Sequence, residues 1–414
     1  MQSVAAAREK TPTGRPAMSH AVYKAALSVS SLLALSAASV SAVAEKGGDL
    51  QITRSGRIQF PVELPFEPIP VIVAGDPQGS PPDSPENRVD PNVPESDFAG
   101  VVSIFISHDG QSGYICTATP ISRYFILTAG HCFDEDGNGD NDFGTNVWIV
   151  LNYDGPMSTV IQPSDVLAVH THPDYTGFNN PNVNDDLTII ELINPLPEGV
   201  PVYDIYRGES ADGLEVTSVG YGLSGTGVDG YTVDPAFDVK RVGSNVIDAV
   251  YDGDEPGDGF EVYAFDFDGP MGSGFFGGGT LGNDIETTFG GGDSGGPSFV
   301  NIDGEWQLVC VDTFIFGWDY GGGIVVMPPY FGSGGGGILV NAYVDWIDSI
   351  NVPPIPGDLD RDGDVDQSDL AILLATYELT EEDPFYDPRG DINGDGAIDQ
   401  TDLGILLANY GSGE

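Results

Sequence analysis

The sequence predicts an all-β fold for most of the chain, followed by a small α-helical region at the carboxyl end. Short runs rich in β-branched and aromatic residues, bounded by turn residues, recur between residues 98 and 350. Glycine and proline number 57 and 31 in a chain of 414 residues, which favours loops and turns over long helices. From residue 357 onward, a repeated acidic pattern precedes two apolar segments of helical character.

The β pattern consists of short apolar runs separated by turn signals. The six clearest runs are residues 101–107, 124–127, 147–151, 187–192, 215–219 and 307–311. This arrangement is typical of a β-sandwich or a β-barrel. At the end of the region, one closing helix is predicted by apolar residues at helical spacing: Tyr343, Val344, Trp346, Ile347 and Ile350.

The chain is strongly acidic, and its charge excludes some classes of partner. It contains 64 Asp and Glu against 14 Lys and Arg, a formal net charge of -50. Because no basic surface is available to neutralise phosphates, we expect no binding to nucleic acid or to an anionic membrane. Because the chain is acidic, calcium ions or a cationic partner are the more favourable ligands. Hydrophobic residues at 40% argue against wholesale disorder.

Residues 1–44 have the pattern of a signal peptide. Lys24 precedes an apolar run at residues 25–40, and residues 42–44 offer the small side chains that a signal peptidase accepts. We predict cleavage after Ala44 and a secreted or extracellular product, with an uncleaved membrane anchor as the alternative. No later run reaches the ~20 apolar residues of a membrane span, so none is expected after signal removal.

Composition divides the remaining chain into four parts. Residues 45–97 are rich in proline, glycine and acidic residues and are expected to form a loosely packed pro-segment or linker. Residues 98–350 form the predicted β domain. A proline-rich linker at residues 351–356 separates this domain from the acidic repeat at residues 357–412.

Ser294 stands in a glycine-rich segment that can present a nucleophile. The glycines of residues 291–297 permit a sharp turn that would aim the amides of Gly292 and Ser294 at a developing oxyanion. A serine hydroxyl needs a base, and the histidines outside the signal peptide are His108, His131, His170 and His172. None follows Ser294, which excludes the nucleophile elbow of α/β-hydrolases, where the histidine comes last.

Two other segments offer a base and an acid that could orient it. His131 follows an apolar strand that ends in a turn of small residues, within residues 127–132. Asp186 opens a second apolar run, where burial beside an imidazole would make it an orienting group. The order along the chain is therefore His, Asp, Ser.

These three motifs, in this order, resemble the chymotrypsin-type (trypsin-like) serine peptidases. The resemblance implies two six-stranded antiparallel β-barrels over residues 98–350. It also implies that Ser294 attacks the scissile carbonyl, that His131 transfers the proton, and that Asp186 holds the imidazole tautomer.

The same resemblance assigns supporting features around the triad. The amides of Gly292 and Ser294 would form the oxyanion hole. A disulfide would join Cys116 to Cys132, beside the histidine. Cys310 has no evident partner and is expected to pack as a buried thiol.

Substrate specificity is expected to favour neutral, apolar side chains. Thr288 occupies the position where family members that cut after Lys or Arg carry an acid. Thr313 and Phe314 would form the opposite wall of the substrate pocket. The glycine-rich run at residues 269–282 resembles an inserted surface loop beside the cleft.

Activation in this family requires a new α-amino group that pairs with the acid before the nucleophile, here Asp293. The usual Ile-Val-Gly-Gly after a basic residue has no clear counterpart in this sequence. The bond between Arg88 and Val89 is a weak candidate for the activating cut.

Residues 357–412 contain two matching acidic loops that begin 33 residues apart. Oxygen-bearing residues alternate along each loop in the pattern of a twelve-residue calcium loop, with Gly363 and Gly396 at the sharp turns. An apolar helix is predicted after each loop, at residues 370–377 and 403–410. The candidate calcium ligands are Asp358, Asp360, Asp362, Asp364, Asp366, Asp369, Asp391, Asn393, Asp395, Ala397 (through its carbonyl), Asp399 and Asp402.

This part of the chain resembles a type I dockerin, a small α-helical, EF-hand-like domain whose loops each end in Asp. The resemblance implies two bound Ca2+ ions and a cohesin-type scaffold protein as partner. Gln367 and Ser368 would contact the cohesin, or Gln400 and Thr401 in the twin orientation.

Two weaker patterns leave alternatives open. A third loop has calcium-like spacing but Thr145 in place of the last carboxylate, so either a third Ca2+ or solvated charge fits. Its acidic and amide residues are Asp134, Asp136, Asn138, Asp140 and Asp142. His170 and His172 share one face of a predicted strand, where surface histidines are favoured over a metal pair.

The sequence therefore predicts an exported serine endopeptidase that acts on protein or peptide substrates. Its dockerin would attach it to a scaffold, with cell-surface association as one outcome. The alternative is a catalytically inactive, peptidase-like binding protein whose dockerin mediates scaffold attachment.

Overall fold

The structure is a computed structural model that describes most of the chain from Ile72 onward. The described ranges are residues 72–178, 183–208, 210–254, 259–270, 272, 274–320 and 324–413, together with two short strands upstream. The predicted signal peptide, residues 1–44, lies outside the described residues.

Strands dominate the fold, which confirms the predicted all-β class. The first nine strands are β1 (Gln51–Ile52), β2 (Ile58–Gln59), β3 (Val102–Ile106), β4 (Tyr114–Pro120), β5 (Phe125–Thr128), β6 (Val147–Leu151), β7 (Thr159–Ile161), β8 (Val166–Thr171) and β9 (Thr188–Leu192). The next twelve are β10 (Asp204–Ile205), β11 (Glu215–Gly220), β12 (Ser224–Thr226), β13 (Gly230–Val233), β14 (Arg241–Val246), β15 (Ala249–Asp252), β16 (Phe260–Asp266), β17 (Pro297–Ile302), β18 (Glu305–Phe316), β19 (Trp318–Asp319), β20 (Val325–Val326) and β21 (Gly334–Leu339).

Two large sheets correspond to the two barrels that the resemblance implied. The first has seven strands in the order β7-β6-β3-β4-β5-β9-β8, and every pairing in it is antiparallel. The second has eight, in the order β14-β11-β17-β18-β21-β16-β15, with the short β10 pairing in parallel with β18. Each sheet therefore exceeds the six expected strands.

The closing helix is also present where periodicity predicted it. A 3-10 turn at Val340–Tyr343 leads into helix α1, Val344–Ile350. Tyr343 and Ile347 are buried and belong to the main apolar core, which contains residues of both sheets. Burial of one face stabilises this short helix, because an isolated helix of seven residues is not stable in water.

Residues 72–97 pack against the β domain, so the expectation of a loose linker is wrong for this part of residues 45–97. Ile72, Val73 and Ala74 are buried. The Val73 amide donates to the carbonyl of Thr288 at 3.0 Å, and the Ala74 amide donates to the carbonyl of Gly225 at 3.0 Å. The high proline and glycine content of residues 72–97 therefore limits regular secondary structure in this segment but does not prevent its burial.

The carboxyl-terminal region contains the two predicted helices. Helix α2 spans Gln367–Ala375 and helix α3 spans Gln400–Asn409, so both begin three residues earlier than predicted. Asp366 and Asp399 cap these helices in reciprocal capping boxes. The apolar core of this region consists of Leu359, Val365, Leu373, Ile398 and Leu406.

Arg361, in the first acidic loop, contacts the β domain. Its guanidinium donates to the carbonyl of Ile193 at 2.6 Å and lies 5.4 Å from the ring centre of Tyr124. Burial of the guanidinium lowers the pKa of Arg361, although Glu191 and Tyr124 oppose this effect. A charge-assisted hydrogen bond and a cation-π contact therefore join this loop to the β domain.

Among the described residues, no helix is long and apolar enough to cross a membrane.

Candidate active site

A short turn after β5 carries His131. The 3-10 helix Gly130–Phe133 follows the strand directly, and its histidine amide donates to Asp186 Oδ1 at 2.8 Å. A disulfide joins Cys132 of this turn to Cys116 of β4. A main-chain hydrogen bond at His131 and a disulfide at the next residue thus restrain the position of this histidine.

His131, Asp186 and Ser294 form a continuous hydrogen-bonded chain. The imidazole Nδ1 lies 2.7 Å from Asp186 Oδ2, and Nε2 lies 2.7 Å from the hydroxyl oxygen of Ser294. The three residues are only 9%, 8% and 4% exposed, respectively. This arrangement can move the hydroxyl proton to the imidazole while the carboxylate stabilises the resulting positive charge.

The turn that carries Ser294 depends on two glycines in the left-handed region. Gly292 has a φ of +112° and Gly295 a φ of +78°, and a Cβ at Gly295 would lie 1.9 Å from the hydroxyl oxygen of Thr128. Thr117 of β4 donates its amide to the carbonyl of Ser294 at 2.9 Å and its hydroxyl to the carbonyl of Gly292 at 2.8 Å. A strand of the first sheet therefore positions the nucleophile loop of the second.

The amides of Gly292 and Ser294 have no hydrogen-bond acceptor among the residues that the structure describes. By contrast, the flanking amides of Gly295 and Gly296 donate to the carbonyls of Asp312 and Asp293, at 2.8 Å and 2.6 Å. Two unsatisfied donors beside a nucleophile are suited to bind an oxyanion.

Asp293, next to the nucleophile, is completely buried. Its carboxylate accepts the amide of Gly222 at 2.8 Å and the amide of Ile72. Burial raises the pKa of Asp293 to about 7, while these two amides and Arg241 act in the opposite direction. The segment that begins at Ile72 therefore lies directly against the acid before the nucleophile.

The structure argues against a cut between Arg88 and Val89. The Arg88 side chain is buried, and its guanidinium binds Asp83 at 2.8 Å and the carbonyl of Ile285 at 2.6 Å. A peptidase would have to extract this side chain from the folded domain. Instead, Ile72 begins the sequence Ile-Val-Ala-Gly, which the sequence alone does not indicate as a new amino terminus because no basic residue directly precedes it.

The three predicted pocket residues are all buried, and two of them lie in β18 of the second sheet. Thr288 is completely buried, and its carbonyl accepts the amide of Val73. Thr313 and Phe314 belong to β18 and are 2% and 3% exposed. The hydroxyls of Thr288 and Thr313 have no hydrogen-bond partner among the described residues.

Sequence reasoning missed two aromatic residues of the same region. Phe289 directly follows Thr288, and its ring meets that of Phe265 edge-on at 4.9 Å. A Cβ at Gly335 in β21 would lie 2.9 Å from each of these rings. The run of four glycines that begins β21 is the sequence signal, since only glycine lets the rings approach the strand so closely.

The glycine-rich run at residues 269–282 is held by buried carboxylates. Asp266 accepts the amide of Phe276, and Glu286 accepts the amide of Leu281 at 2.8 Å. Phe275 of this run stacks on Trp318 with ring centres 3.3 Å apart.

These carboxylates have raised pKa values because they are buried. The pKa rises to about 7 for Asp266 and for Glu286, and to about 6 for the neighbouring Asp248. Mutual repulsion among the carboxylates adds to the effect of burial.

His170 and His172 bind separate carboxylates, which does not support a metal pair. His170 Nε2 lies 2.9 Å from Glu191 Oε2, and His172 Nδ1 lies 3.4 Å from Asp185 Oδ1. The prediction of a surface histidine is wrong for His172, because its side chain is only 11% exposed and its ring meets the ring of Trp346 edge-on.

Cys310 is a buried free thiol, as expected. Burial raises the pKa of this thiol well above its usual range, so little thiolate forms.

The third acidic loop brings together Asp134, Asp136 and Asp142, whose carboxylate oxygens lie within 4.8 Å of one another. Asp134 accepts the amides of Gly137 and Gly139 at 2.7 Å and 2.9 Å. Main-chain amides thus already stabilise this charge, and a third Ca2+ remains a hypothesis.

The first loop of the carboxyl-terminal region fits a calcium ion. Carboxylate oxygens of Asp358, Asp360 and Asp369 lie within 4.8 Å of one another, as do those of Asp364, Asp366 and Asp369. Asp358 is buried, and its Oδ1 has no hydrogen-bond partner among the described residues. Convergent oxygen donors with an unpaired buried oxygen are a suitable ligand set for Ca2+.

The second loop repeats this framework. Asp391 accepts the amide of Gly396 at 2.8 Å, as Asp358 accepts the amide of Gly363 at 3.1 Å. Asp402 accepts the amide of Asn393 at 3.1 Å and that of Asp399 at 2.9 Å, so the last carboxylate of the loop faces the first positions.

Two parts of the chain match known protein families. Residues 92–347 match the family model described as Trypsin, and residues 356–410 match the model described as Dockerin type I domain. No curated protein matches the chain significantly.

We predict that the protein is less stable at about pH 8 than at about pH 6, because the pKa values of Asp248, Asp266 and Glu286 are raised. The native state then binds more protons than the unfolded state between the ordinary carboxyl pKa and about 7, so the free energy of unfolding falls as pH rises through this window. Thermal unfolding at both pH values, in saturating calcium, measures the difference.

Asp266→Asn should reduce this pH dependence, whereas Asp252→Asn, at an exposed carboxylate of β15, should leave it unchanged. Equal pH dependence in the wild-type protein and the Asp266→Asn variant would contradict the prediction.

Proposed function

We propose, from the premise that this chain belongs to the trypsin family, that it is a secreted serine endopeptidase attached to a scaffold through its dockerin domain. The observation that carries the proposal is the chain of two 2.7 Å contacts that joins Asp186 to His131 and His131 to Ser294. Membership of this family indicates a serine-type hydrolase; the identity of the catalytic residues and the secretion are parts of the proposal.

In the proposed reaction, Ser294 attacks the scissile carbonyl while His131 accepts its proton. Asp186 keeps the imidazole in the tautomer that presents an unprotonated Nε2 and stabilises the imidazolium that forms. The imidazolium then protonates the leaving amine, the Ser294 acyl ester remains, and a water molecule activated by His131 hydrolyses it.

The amides of Gly292 and Ser294 form the proposed oxyanion hole. Neither amide has a competing acceptor among the described residues, and both are fixed by the glycine turn around Ser294. Each such donor typically stabilises the transition state by about 3 kcal/mol.

The proposed pocket accepts neutral, apolar side chains. Thr288 carries no charge, and the aromatic side chains of Phe289 and Phe314 are buried. A cationic substrate side chain would find no carboxylate at Thr288 to pair with it, so binding it there would cost desolvation energy.

Ser294→Ala should lower peptide hydrolysis by about 10⁶-fold, because the residual activity of a triad without its nucleophile comes only from binding and the oxyanion hole. A fluorophosphonate probe, followed by mass spectrometry, should form an adduct on Ser294 in the wild-type protein and none in the variant.

Ser349→Ala, at an exposed serine of α1, is the matched control and should retain the adduct. Absence of an adduct from the processed wild-type protein would refute the peptidase proposal and favour a binding protein.

We further propose that the mature enzyme begins at Ile72. Cleavage of the Val71–Ile72 bond would convert the amide that now contacts Asp293 into an α-amino group at the same position. This cation would pair with the buried carboxylate and remove the cost of an uncompensated charge beside the nucleophile.

Amino-terminal sequencing of the active secreted protein should therefore identify Ile72 as the first residue. Asp293→Asn should lower kcat/KM by about 100-fold, since loss of one member of a buried ion pair costs several kcal/mol. The control Asp284→Asn, at an exposed position, should behave as the wild-type protein. A fully active enzyme that begins at another residue would contradict this assignment.

Type I dockerin domains bind calcium, and here we propose two ions, one in each acidic loop. The proposed ligands in the first loop are Asp358, Asp360, Asp362, Asp364, Asp366 and Asp369, and those in the second loop are the corresponding residues from Asp391 to Asp402. The ions stabilise the negative charge of the loops and so hold α2 and α3 together. The helices would then present their amino-terminal turns, with Gln367 and Ser368 or Gln400 and Thr401, to a cohesin-type scaffold partner.

Removal of calcium from the full chain should unfold α2 and α3 while the β domain stays folded. Hydrogen exchange should show rapid exchange of the helix amides in a chelator and protection after calcium is restored. Asp369→Ala should abolish protection of α2, because this carboxylate belongs to both ligand groups of the first loop. Glu382→Gln, at an exposed site between the loops, should retain it. Unchanged protection in the chelator would refute calcium-dependent folding.

A further inference from the structure

A cluster of three carboxylates lies beside the proposed catalytic aspartate. Oxygen atoms of Asp185, Asp254 and Glu261 lie within 4.8 Å of one another. Asp185 immediately precedes Asp186, Glu261 belongs to β16, and Asp254 follows β15. The cluster therefore joins the turn before β9 in the first sheet to the β15–β16 hairpin of the second sheet.

Asp185 is buried without full hydrogen bonding. The residue is 4% exposed, and its Oδ2 has no hydrogen-bond partner among the described residues. Its Oδ1 lies 3.4 Å from His172 Nδ1, a nitrogen that itself has no hydrogen-bond partner there. A buried carboxylate oxygen without a partner is costly and indicates that a ligand completes the site.

The surrounding charges do not neutralise this carboxylate. Burial, followed by the negative charges of Asp254 and Glu261, raises the pKa of Asp185 to about 7. His172 cannot supply a stable positive charge, because burial lowers its pKa and its ring lies against the aromatic rings of Tyr343 and Trp346.

Hydrogen bonds from neighbouring residues support the positions of Asp185 and Glu261. The side-chain amide of Asn184 donates to Glu261 Oε2 at 2.6 Å. Tyr343 accepts the amide of Asp185 at 3.0 Å, and its hydroxyl also bonds Glu261. These contacts orient the turn and the strand toward the same small volume, in the way that outer hydrogen bonds orient metal ligands.

We propose that Asp185, Asp254 and Glu261 bind one calcium ion, at a site separate from the dockerin loops. Three carboxylates are hard oxygen ligands, which favour Ca2+ over metals that prefer nitrogen or sulfur. Ca2+ also accepts irregular coordination more readily than Mg2+, which suits ligands that come from three separate segments.

The bound ion would act as a positioning group for Asp186. By joining Asp185 to the β15–β16 hairpin, it would restrain the turn that delivers the triad carboxylate to His131. It would also offset the negative charge that otherwise accumulates beside this turn. The proposed calcium site does not depend on the proposed peptidase function. The proposed effect of the ion on the triad rests on that function.

Equilibrium binding of calcium to the full chain tests the site directly. Glu261→Gln and Asp254→Asn should each bind one Ca2+ per chain fewer than the wild-type protein. The control Asp252→Asn removes the same charge two residues from Asp254, at an exposed position, and should bind the wild-type number. Asp254 is only partly buried, so its variant should fold even if Glu261→Gln does not.

Equal calcium stoichiometry in the wild-type protein and the folded Asp254→Asn variant would overturn the proposal. Full displacement of this ion by an equal concentration of Mg2+ would overturn the assignment to calcium. Loss of the bound ion should slow the reaction of Ser294 with a fluorophosphonate by about tenfold and lower kcat more than it changes KM. Failure of the wild-type protein that begins at Ile72 to react would reject the peptidase function and leave the stoichiometric test intact.

Discussion

The hydrogen bonds of His131 are the interaction on which the rest of the site depends. The imidazole bonds Asp186 on one side and Ser294 on the other, each at 2.7 Å, although the serine follows the histidine by 163 residues. The contacts of Thr117 with the nucleophile loop hold the two sheets in the register that this geometry requires, and the disulfide between Cys116 and Cys132 restrains the histidine turn within the first sheet. Small errors in that register would separate base from nucleophile, which explains why several independent restraints converge on one short turn.

A second theme is the burial of negative charge in a chain that has few cations. Asp293 is completely buried beside Ser294, and Asp185 is buried beside Asp186. Each position gains stability from a positive group, which we propose to be an α-amino group at Ile72 in one case and a calcium ion in the other. The dockerin loops follow the same principle, with calcium as the proposed counter-ion.

Much of the candidate site could be predicted because local sequence carries its chemistry. The glycines around Ser294 permit the backbone conformation of its turn. The alternating acidic residues around Gly363 and Gly396 offer the oxygen ligands that calcium prefers. Prediction failed where the decisive contact was distant. The sequence made the bond after Arg88 a weak candidate for the activating cut, whereas the Arg88 side chain is inserted among the carbonyls of residues 285 and 286. Phe289 was missed because its importance depends on Gly335, in another strand.

By itself, the sequence determined the all-β class, the order of the three motifs, the glycine turn at Ser294 and the paired acidic loops. These features follow from residue type and short-range spacing, which act through backbone conformation and ligand chemistry within a few residues. The tertiary structure alone decided that Ile72 meets Asp293 and that Glu261 joins Asp185. Such contacts depend on how strands far apart in the chain pair and pack, because burial and charge proximity are properties of the folded sheets.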